Sequence, residues 1–108
     1  QVEWRDDQPV AVLELTSAQT LDDKTKANVA GRLWHQFSGR KLRYLAQRMG
    51  VPLYVVLFTP AVDRFSVCNL MREDSPWFDY TPGGYRSWLC GLPLQSTGAV
   101  DDATTTNQ

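Results

Sequence analysis

Hydrophobic and polar residues first alternate along the chain and then form a longer apolar run. Residues 2–5 (VEWR) alternate, and residues 10–16 (VAVLELT) are a run of strand-favouring residues. Residues 6–9 (DDQP) lie between them and supply turn chemistry. This pattern predicts a β-hairpin, with a single acid, Glu14, near the end of its second strand.

A helical period follows the hairpin. About 25 residues pass without proline, and their apolar positions fall on one stripe that slips at Ser38-Gly39. We expect Thr20 or Asp22 to cap this region, Gly50 to end it, and a kink or a break into two helices at the slip. The stripe comprises Val29, Ala30, Leu33, Trp34 and Phe37 before the slip, and Leu42, Leu45, Ala46 and Met49 after it.

Two further strands complete the predicted fold. Residues 51–59 (VPLYVVLFT) have the pattern of a buried strand, and residues 64–70 (RFSVCNL) that of a more amphipathic one. A right-handed crossover through the helix would make residues 51–59 the parallel neighbour of residues 10–16. The predicted fold class is α/β: a small mixed β-sheet, made of the N-terminal hairpin plus the parallel crossover strand, packed against one long or kinked helix.

Size and composition limit the protein to one domain. The 108 residues are 43% hydrophobic and 21% charged, enough for one core. We expect residues 1–94 to form this domain and residues 95–108, which have almost nothing to bury, to be a disordered C-terminal tail. The chain has no apolar run of the ~18 residues that a membrane span needs. Cys68 and Cys90 lack metal-binding spacing, which favours reduced thiols, one of them buried in a strand, and a cytoplasmic location.

Charge is unevenly distributed although the net charge is only −1. The segment between Lys24 and Arg48 contains no acid, and such a segment favours binding to nucleic acid in a salt-dependent way. A solvated basic helix face is the alternative, with equal weight. The cations of the segment are Lys24, Lys26, Arg32, Arg40, Lys41, Arg43 and Arg48.

Aromatic residues are interpreted mainly as core. Residues 76–92 (PWFDYTPGGYRSWLCGL) are rich in Tyr and Trp, which are typical of interfaces. They predict either a cover for the sheet, which we favour, or a surface for a homodimer. The aromatic residues that we expect in the core or at its edge, rather than as stacking platforms, are Trp4, Trp34, Phe37, Tyr44, Tyr54, Phe58 and Phe65.

The hairpin, helix and strands together resemble a known superfamily. The text VEWRDDQPVAVLELT, followed by GRKLRYLAQRMGVPLYVVLFT and RFSVCNL, resembles the PD-(D/E)xK nuclease-like, or restriction-endonuclease-like, core. The resemblance is closest to small bacterial or phage members whose hairpin is roughly IEYRNGKPVALIEYK and whose strand is LGVPFFVV. It covers about residues 1–72 and implies a nuclease fold that engages nucleic acid.

The resemblance also implies a metal site. In that superfamily an Asp of the first strand and the Glu of E-x-K bind Mg²⁺, and the Lys activates a water that attacks phosphate. Glu14 matches the Glu and is therefore the implied metal ligand and a catalytic residue. Thr16 stands where the Lys is expected. Candidates for the missing cation lie on the following helix, although each is also an ordinary surface residue: Lys24, Lys26 and Lys41, with His35 and Gln36 as substitutes.

The first-strand Asp is missing as well. If a two-residue turn pairs Arg5 with Gln8, the residue opposite Glu14 falls just ahead of Gln1. Glu3 is the nearest acid, but it would lie about 13 Å from that partner position at ~3.3 Å per residue. We therefore predict either a nuclease-fold domain that binds nucleic acid, with Mg²⁺-dependent phosphodiester hydrolysis if a second acid is supplied, or a catalytically inactive binding or assembly module acting through protein contacts.

Overall fold

A computed structural model describes residues 1–94, which form five strands and three helices. The strands are Val2–Arg5 (β1), Gln8–Ser17 (β2), Leu53–Phe58 (β3), Phe65–Asn69 (β4) and Trp77–Tyr80 (β5). The helices are Asp23–His35 (α1), Phe37–Met49 (α2) and Pro82–Cys90 (α3). The predicted tail, residues 95–108, lies outside the described residues.

All five strands belong to one mixed sheet in the order β1-β2-β3-β4-β5. Strands β2 and β3 are parallel and are joined through α1 and α2, whereas the other neighbouring pairs are antiparallel. The predicted α/β class, hairpin and parallel crossover strand are therefore confirmed.

The sheet is covered on both faces. Helices α1 and α2 pack on one side, which we call the α1/α2 face, and α3 packs on the other, the α3 face. Side chains of alternate residues point to opposite faces of a strand, so each buried strand contributes to both cores. The α1/α2 face carries Val12, Leu53, Val55 and Leu57, and the α3 face carries Ala11, Leu13, Val56 and Val67.

The helical region is two helices rather than one long helix. Gln36 is extended, with φ −78° and ψ 154°, and it separates α1 from α2 two residues ahead of the slip at Ser38-Gly39. Asp22 caps α1, since its carboxylate accepts from Thr25 N at 2.8 Å. Gly50 ends α2 with φ 71°, a left-handed conformation that favours glycine.

Residues 76–92 contain two elements that the sequence pattern did not predict: β5 extends the sheet, and α3 covers one of its faces, which is the role that we favoured. After β5, the Thr81 hydroxyl accepts from Gly84 N at 3.1 Å, and Pro82 follows at the first position of α3. The PGG run thus starts a helix. Tyr85 stacks on Phe65 with ring centroids 4.3 Å apart, and Trp88 meets Tyr54 edge-on at 4.9 Å.

Candidate nucleic-acid interface

Glu14 lies on the α1/α2 face of the sheet, in the part of β2 that extends beyond its pairing with β1. In the parallel register Glu14 is opposite Val55, whose side chain belongs to the α1/α2 core. The side chain of Glu14 is half-buried. Within residues 1–94 its carboxylate has no hydrogen-bond or ion-pair partner, so nothing described there neutralises it.

The hairpin register places the strand partner of Glu14 ahead of Gln1, as predicted. Asp6 and Asp7 form a two-residue turn with positive φ at both positions, and Arg5 is opposite Gln8. An irregularity between Glu3 and Trp4 then shifts the register by one residue, and Gln1 exchanges backbone hydrogen bonds with Leu13, at 2.7 and 3.0 Å.

Glu3 is not only distant from Glu14 but also on the opposite face. It is paired with Ala11, whose side chain belongs to the α3 core. Its charge acts on Tyr85 of α3, where desolvation first and Glu3 second raise the pKa of the phenol. Glu3 and Glu14 therefore cannot share one ion.

Lys26 is engaged elsewhere on the α1/α2 face. Its side chain is buried beneath α1, with 8% of the residue exposed, and Nζ lies 2.8 Å from the Asp79 carboxylate of β5. The buried Ser66 hydroxyl donates to the same oxygen. These hydrogen bonds, from Lys26 and then Ser66, hold the pKa of Asp79 below its ordinary value. Lys24 is exposed on α1, so neither lysine is shown to pair with Glu14.

The described residues do not fit a magnesium site at Glu14. Mg²⁺ prefers six oxygen ligands in near-octahedral geometry, and residues 1–94 contain no cluster of three or more His, Cys, Asp or Glu side chains. Asp79 shares the α1/α2 face but lies three strands away, roughly 14 Å at ~4.8 Å per strand. A second acid would have to come from outside the described residues, and Mg²⁺ binding stays a prediction.

The break at Gln36 changes which side of the second helix faces the core. In a single unbroken helix Phe37 would continue the apolar stripe of α1. Because α2 starts anew after Gln36, Phe37 is exposed and Gly39 occupies the buried position instead. A Cβ at Gly39 would lie 1.6 Å from the carbonyl oxygen of Leu33. The backbones of α1 and α2 therefore approach more closely than any side chain at position 39 would allow.

The side of α2 that points away from the sheet carries rings and cations together. Phe37, Arg40, Lys41, Tyr44 and Arg48 fall within an arc of about 100° at ~100° per residue, and we call this surface the α2 outer face. Phe37 and Tyr44 are 68% and 63% exposed. The prediction of a core or core-edge position was wrong for these two rings and for Trp4, which is also exposed.

Each ring of the α2 outer face is paired with a cation. The Lys41 ammonium lies 4.8 Å from the Phe37 ring centroid, and the Arg48 guanidinium lies 5.9 Å from that of Tyr44. A shallow depression of about 790 Å³ runs along this surface. Leu45 extends the apolar part of the surface at its margin.

Arg43 is the exception among the predicted nucleic-acid-binding cations of α2. Its guanidinium stacks over Trp34, 3.9 Å from the ring centroid, and donates to the Trp34 carbonyl at 2.9 Å. Burial first, and Arg40 second, lower its pKa. Arg43 thus joins α1 to α2, whereas Arg32, Arg40, Lys41 and Arg48 are exposed.

Comparisons with protein-family models, curated proteins and solved structures find no match. Kinship with the PD-(D/E)xK superfamily therefore stays a prediction, and a proposal for function has to be argued from the surfaces of the described domain. None of its three helices has both the length and the apolar character needed to cross a bilayer.

Proposed function

We propose that the protein binds single-stranded nucleic acid through the α2 outer face. The observation that carries the proposal is the alternation of exposed rings and cations along one side of one helix, Phe37 with Lys41 and Tyr44 with Arg48. Proteins that bind single strands combine a positive surface for the backbone with aromatic rings on which bases stack. The resemblance of residues 1–72 to nucleases supports the same class of ligand.

The exposed rings favour a single strand over a duplex. Cations alone would suffice for the phosphates of a duplex, whose bases are already stacked on one another. Phe37 and Tyr44 instead leave more than half of their surface open to solvent, which costs free energy unless a partner covers the rings. Unpaired bases provide flat apolar surfaces of the required kind.

Hydrolysis is not part of the proposal. Residues 1–94 contain no group of three or more His, Cys, Asp or Glu side chains that could hold a metal ion, and Thr16 occupies the position expected for the catalytic lysine. The proposed activity is binding, and the α2 outer face is the described surface that supports it.

The test is a titration of a labelled oligonucleotide monitored by fluorescence anisotropy. Single-stranded binding involving Arg40, Lys41 and Arg48 should weaken with salt with a log–log slope of about −2, since each neutralised phosphate of a single strand contributes ~0.7. Tyr44→Ala should weaken binding by about 1–3 kcal/mol with little change in slope. Lys41→Ala should reduce the slope by about 0.7.

Trp4→Ala is the matched control, because Trp4 is also an exposed ring but lies on β1. It should leave binding unchanged. Equal losses in Trp4→Ala and Tyr44→Ala, or no binding at low salt, would remove nucleic acid as the ligand of the α2 outer face.

A second candidate function is assembly with a protein partner. The observation in its favour is the exposed apolar surface of Phe37, Tyr44 and Leu45 on α2, since contiguous exposed apolar patches mark interaction sites. A homodimer through residues 76–92 also stays a proposal, although Tyr85 and Trp88 already pack within the chain. Light scattering over a range of concentrations would detect self-association, and loss of the dimer in Leu45→Glu would assign it to α2.

A further inference from the structure

A second concave surface lies on the α3 face, on the opposite side of the sheet from α2. It encloses about 410 Å³, within the range of roughly 300–1,000 Å³ typical of small-molecule sites. The floor is Val67 of β4, which is almost completely buried. We call this cavity the β4 pocket.

Aromatic side chains form the walls of the β4 pocket. Phe78 of β5 is the register partner of Val67, and Tyr54 of β3 is opposite Asn69, two residues further along β4, so the two rings lie diagonally across β4 on the same face. Two strand spacings of ~4.8 Å, combined with an offset of two residues at ~3.3 Å each, place the two backbones roughly 12 Å apart. Aromatic rings pack with centroids ~4.5–7 Å apart, so this width admits one planar ring between the two walls.

One end of the pocket is closed by a ring whose position is already fixed. Trp88 of α3 is held edge-on to Tyr54 at a centroid distance of 4.9 Å and packs beside Tyr85 at 5.7 Å. Phe78, by contrast, is 57% exposed and has no ring partner among the described residues. The pocket therefore combines a preformed wall with an open ring that a ligand would cover.

The charge of the pocket is positive. Arg72 is the one charged side chain among its lining residues, and Asn69 and Ser75 add polar groups near it. Within residues 1–94 the Arg72 guanidinium makes no hydrogen bond or ion pair. A planar ring bound between the walls would therefore be favoured if it carried an anionic group that reaches Arg72, since guanidinium binds phosphate and carboxylate through paired hydrogen bonds.

We propose that the β4 pocket binds a small planar aromatic anion, with the ring between Tyr54 and Phe78 and the anionic group on Arg72. A purine mononucleotide has both parts and is the probe. This inference does not depend on nucleic-acid binding by α2, because the two surfaces lie on opposite faces of the sheet.

The experiment is calorimetric titration of the full chain with adenosine monophosphate, adenosine and ribose 5-phosphate. We expect the mononucleotide to bind at least about tenfold more tightly than adenosine, because a hydrogen bond to a charged group contributes ~1.5–3 kcal/mol. Ribose 5-phosphate, which has no ring to insert, should show no measurable binding. No heat from the mononucleotide at millimolar concentration would overturn the proposal.

Variants locate the site. Phe78→Ala should weaken mononucleotide binding by about fivefold to somewhat over a hundredfold, as expected for loss of one stacking contact. Arg72→Ala should reduce mononucleotide affinity to that of adenosine and leave adenosine unaffected. Both side chains are exposed, so both variants should fold.

Trp4→Ala is the control, since Trp4 is a ring as exposed as Phe78 but lies on β1, at the opposite edge of the sheet from β5. It should leave mononucleotide affinity unchanged. If Phe37→Ala weakens the mononucleotide and Phe78→Ala does not, the ligand binds α2 and the β4 pocket proposal is wrong.

Discussion

Alanine at two glycines of the helical layer should change stability in opposite directions. At Gly39 an added Cβ would lie 1.6 Å from the Leu33 carbonyl oxygen and 2.6 Å from its carbon. Both contacts are with backbone, so no side-chain rotation relieves them and α2 must move away from α1. Overpacking of this kind lowers the free energy of unfolding by about 1–3 kcal/mol. Because the contact is so short, we expect a loss at or beyond the upper end of that range. Better helix propensity returns about 1 kcal/mol, which leaves a net loss of about 2 kcal/mol or more.

Gly31 provides the matched comparison within α1. It is helical and exposed, and a Cβ there would meet nothing within 4 Å. Gly31→Ala should therefore gain roughly 1 kcal/mol from helix propensity alone. For a domain of this size each kcal/mol shifts Tm by roughly 4–8 °C. Urea and thermal unfolding followed by circular dichroism would measure both variants. A Gly39→Ala protein as stable as Gly31→Ala would show that α1 and α2 do not pack as described.

Three further predictions concern ionisable side chains. Because the folded-state pKa of Asp79 is lowered, its stabilisation is present at neutral pH and is lost as the pH falls below about 4. Asp79→Asn should remove that acid-dependent part of the Tm profile and, by leaving Lys26 without its carboxylate, lower Tm at pH 7. Because the Asp79 side chain is 61% exposed, we expect the free energy of unfolding to fall by only about 1 kcal/mol. Identical Tm profiles for the two proteins would contradict the pairing. Burial raises the pKa of the Cys68 thiol to about 11, so a thiol reagent at pH 8 should label only the exposed Cys90 in the native protein, and rapid reaction of both would show that β4 opens. An ion bound to the folded protein must raise Tm by linkage. Because the described residues do not fit a magnesium site, millimolar Mg²⁺ should leave Tm unchanged. A rise in Tm that Glu14→Gln abolishes would instead establish the metal site.

Strands β1 to β4 of the sheet were predictable because their signals are local and agree with one another. Residues 2–17 contain an alternating stretch, a turn and an apolar run, and the two-residue turn fixes which residues are opposite. The long proline-free segment followed by a buried run then requires a crossover and a parallel neighbour. The two-residue turn, and with it a strand partner for Glu14 ahead of Gln1, followed from these residues alone, whereas the irregularity between Glu3 and Trp4 that shifts the register by one residue did not.

The second helix was harder to predict because its orientation depends on packing. No proline or glycine occupies position 36, so nothing in the sequence marks the break there, and the apolar spacing carries Phe37 into the same stripe as Leu33. The close approach at Gly39 is what turns Phe37 outward. A glycine among good helix formers was a signal for such an approach, although its meaning depends on the neighbouring helix.

The start of α3, in contrast, had a recognisable local signature. Thr81 followed by Pro82 is a capping residue followed by the residue most favoured at the first helical position. The two glycines that come next weaken this signature, because glycine is a poor helix former. The missed helix matters for function, since Trp88 on α3 closes one end of the β4 pocket.

The position of the two proposed sites on opposite faces of one sheet makes their effects separable. Perturbations more than about 7–10 Å apart without shared partners are additive within ~0.5 kcal/mol, and Tyr44 on α2 shares no described contact with Phe78 on β5. A ligand that depends on Tyr44 but not on Phe78 therefore reports on the α2 outer face alone, and the reverse dependence reports on the β4 pocket. Strong coupling between the two variants would instead mean that one extended ligand reaches around the edge of the sheet, past β5, and contacts both surfaces.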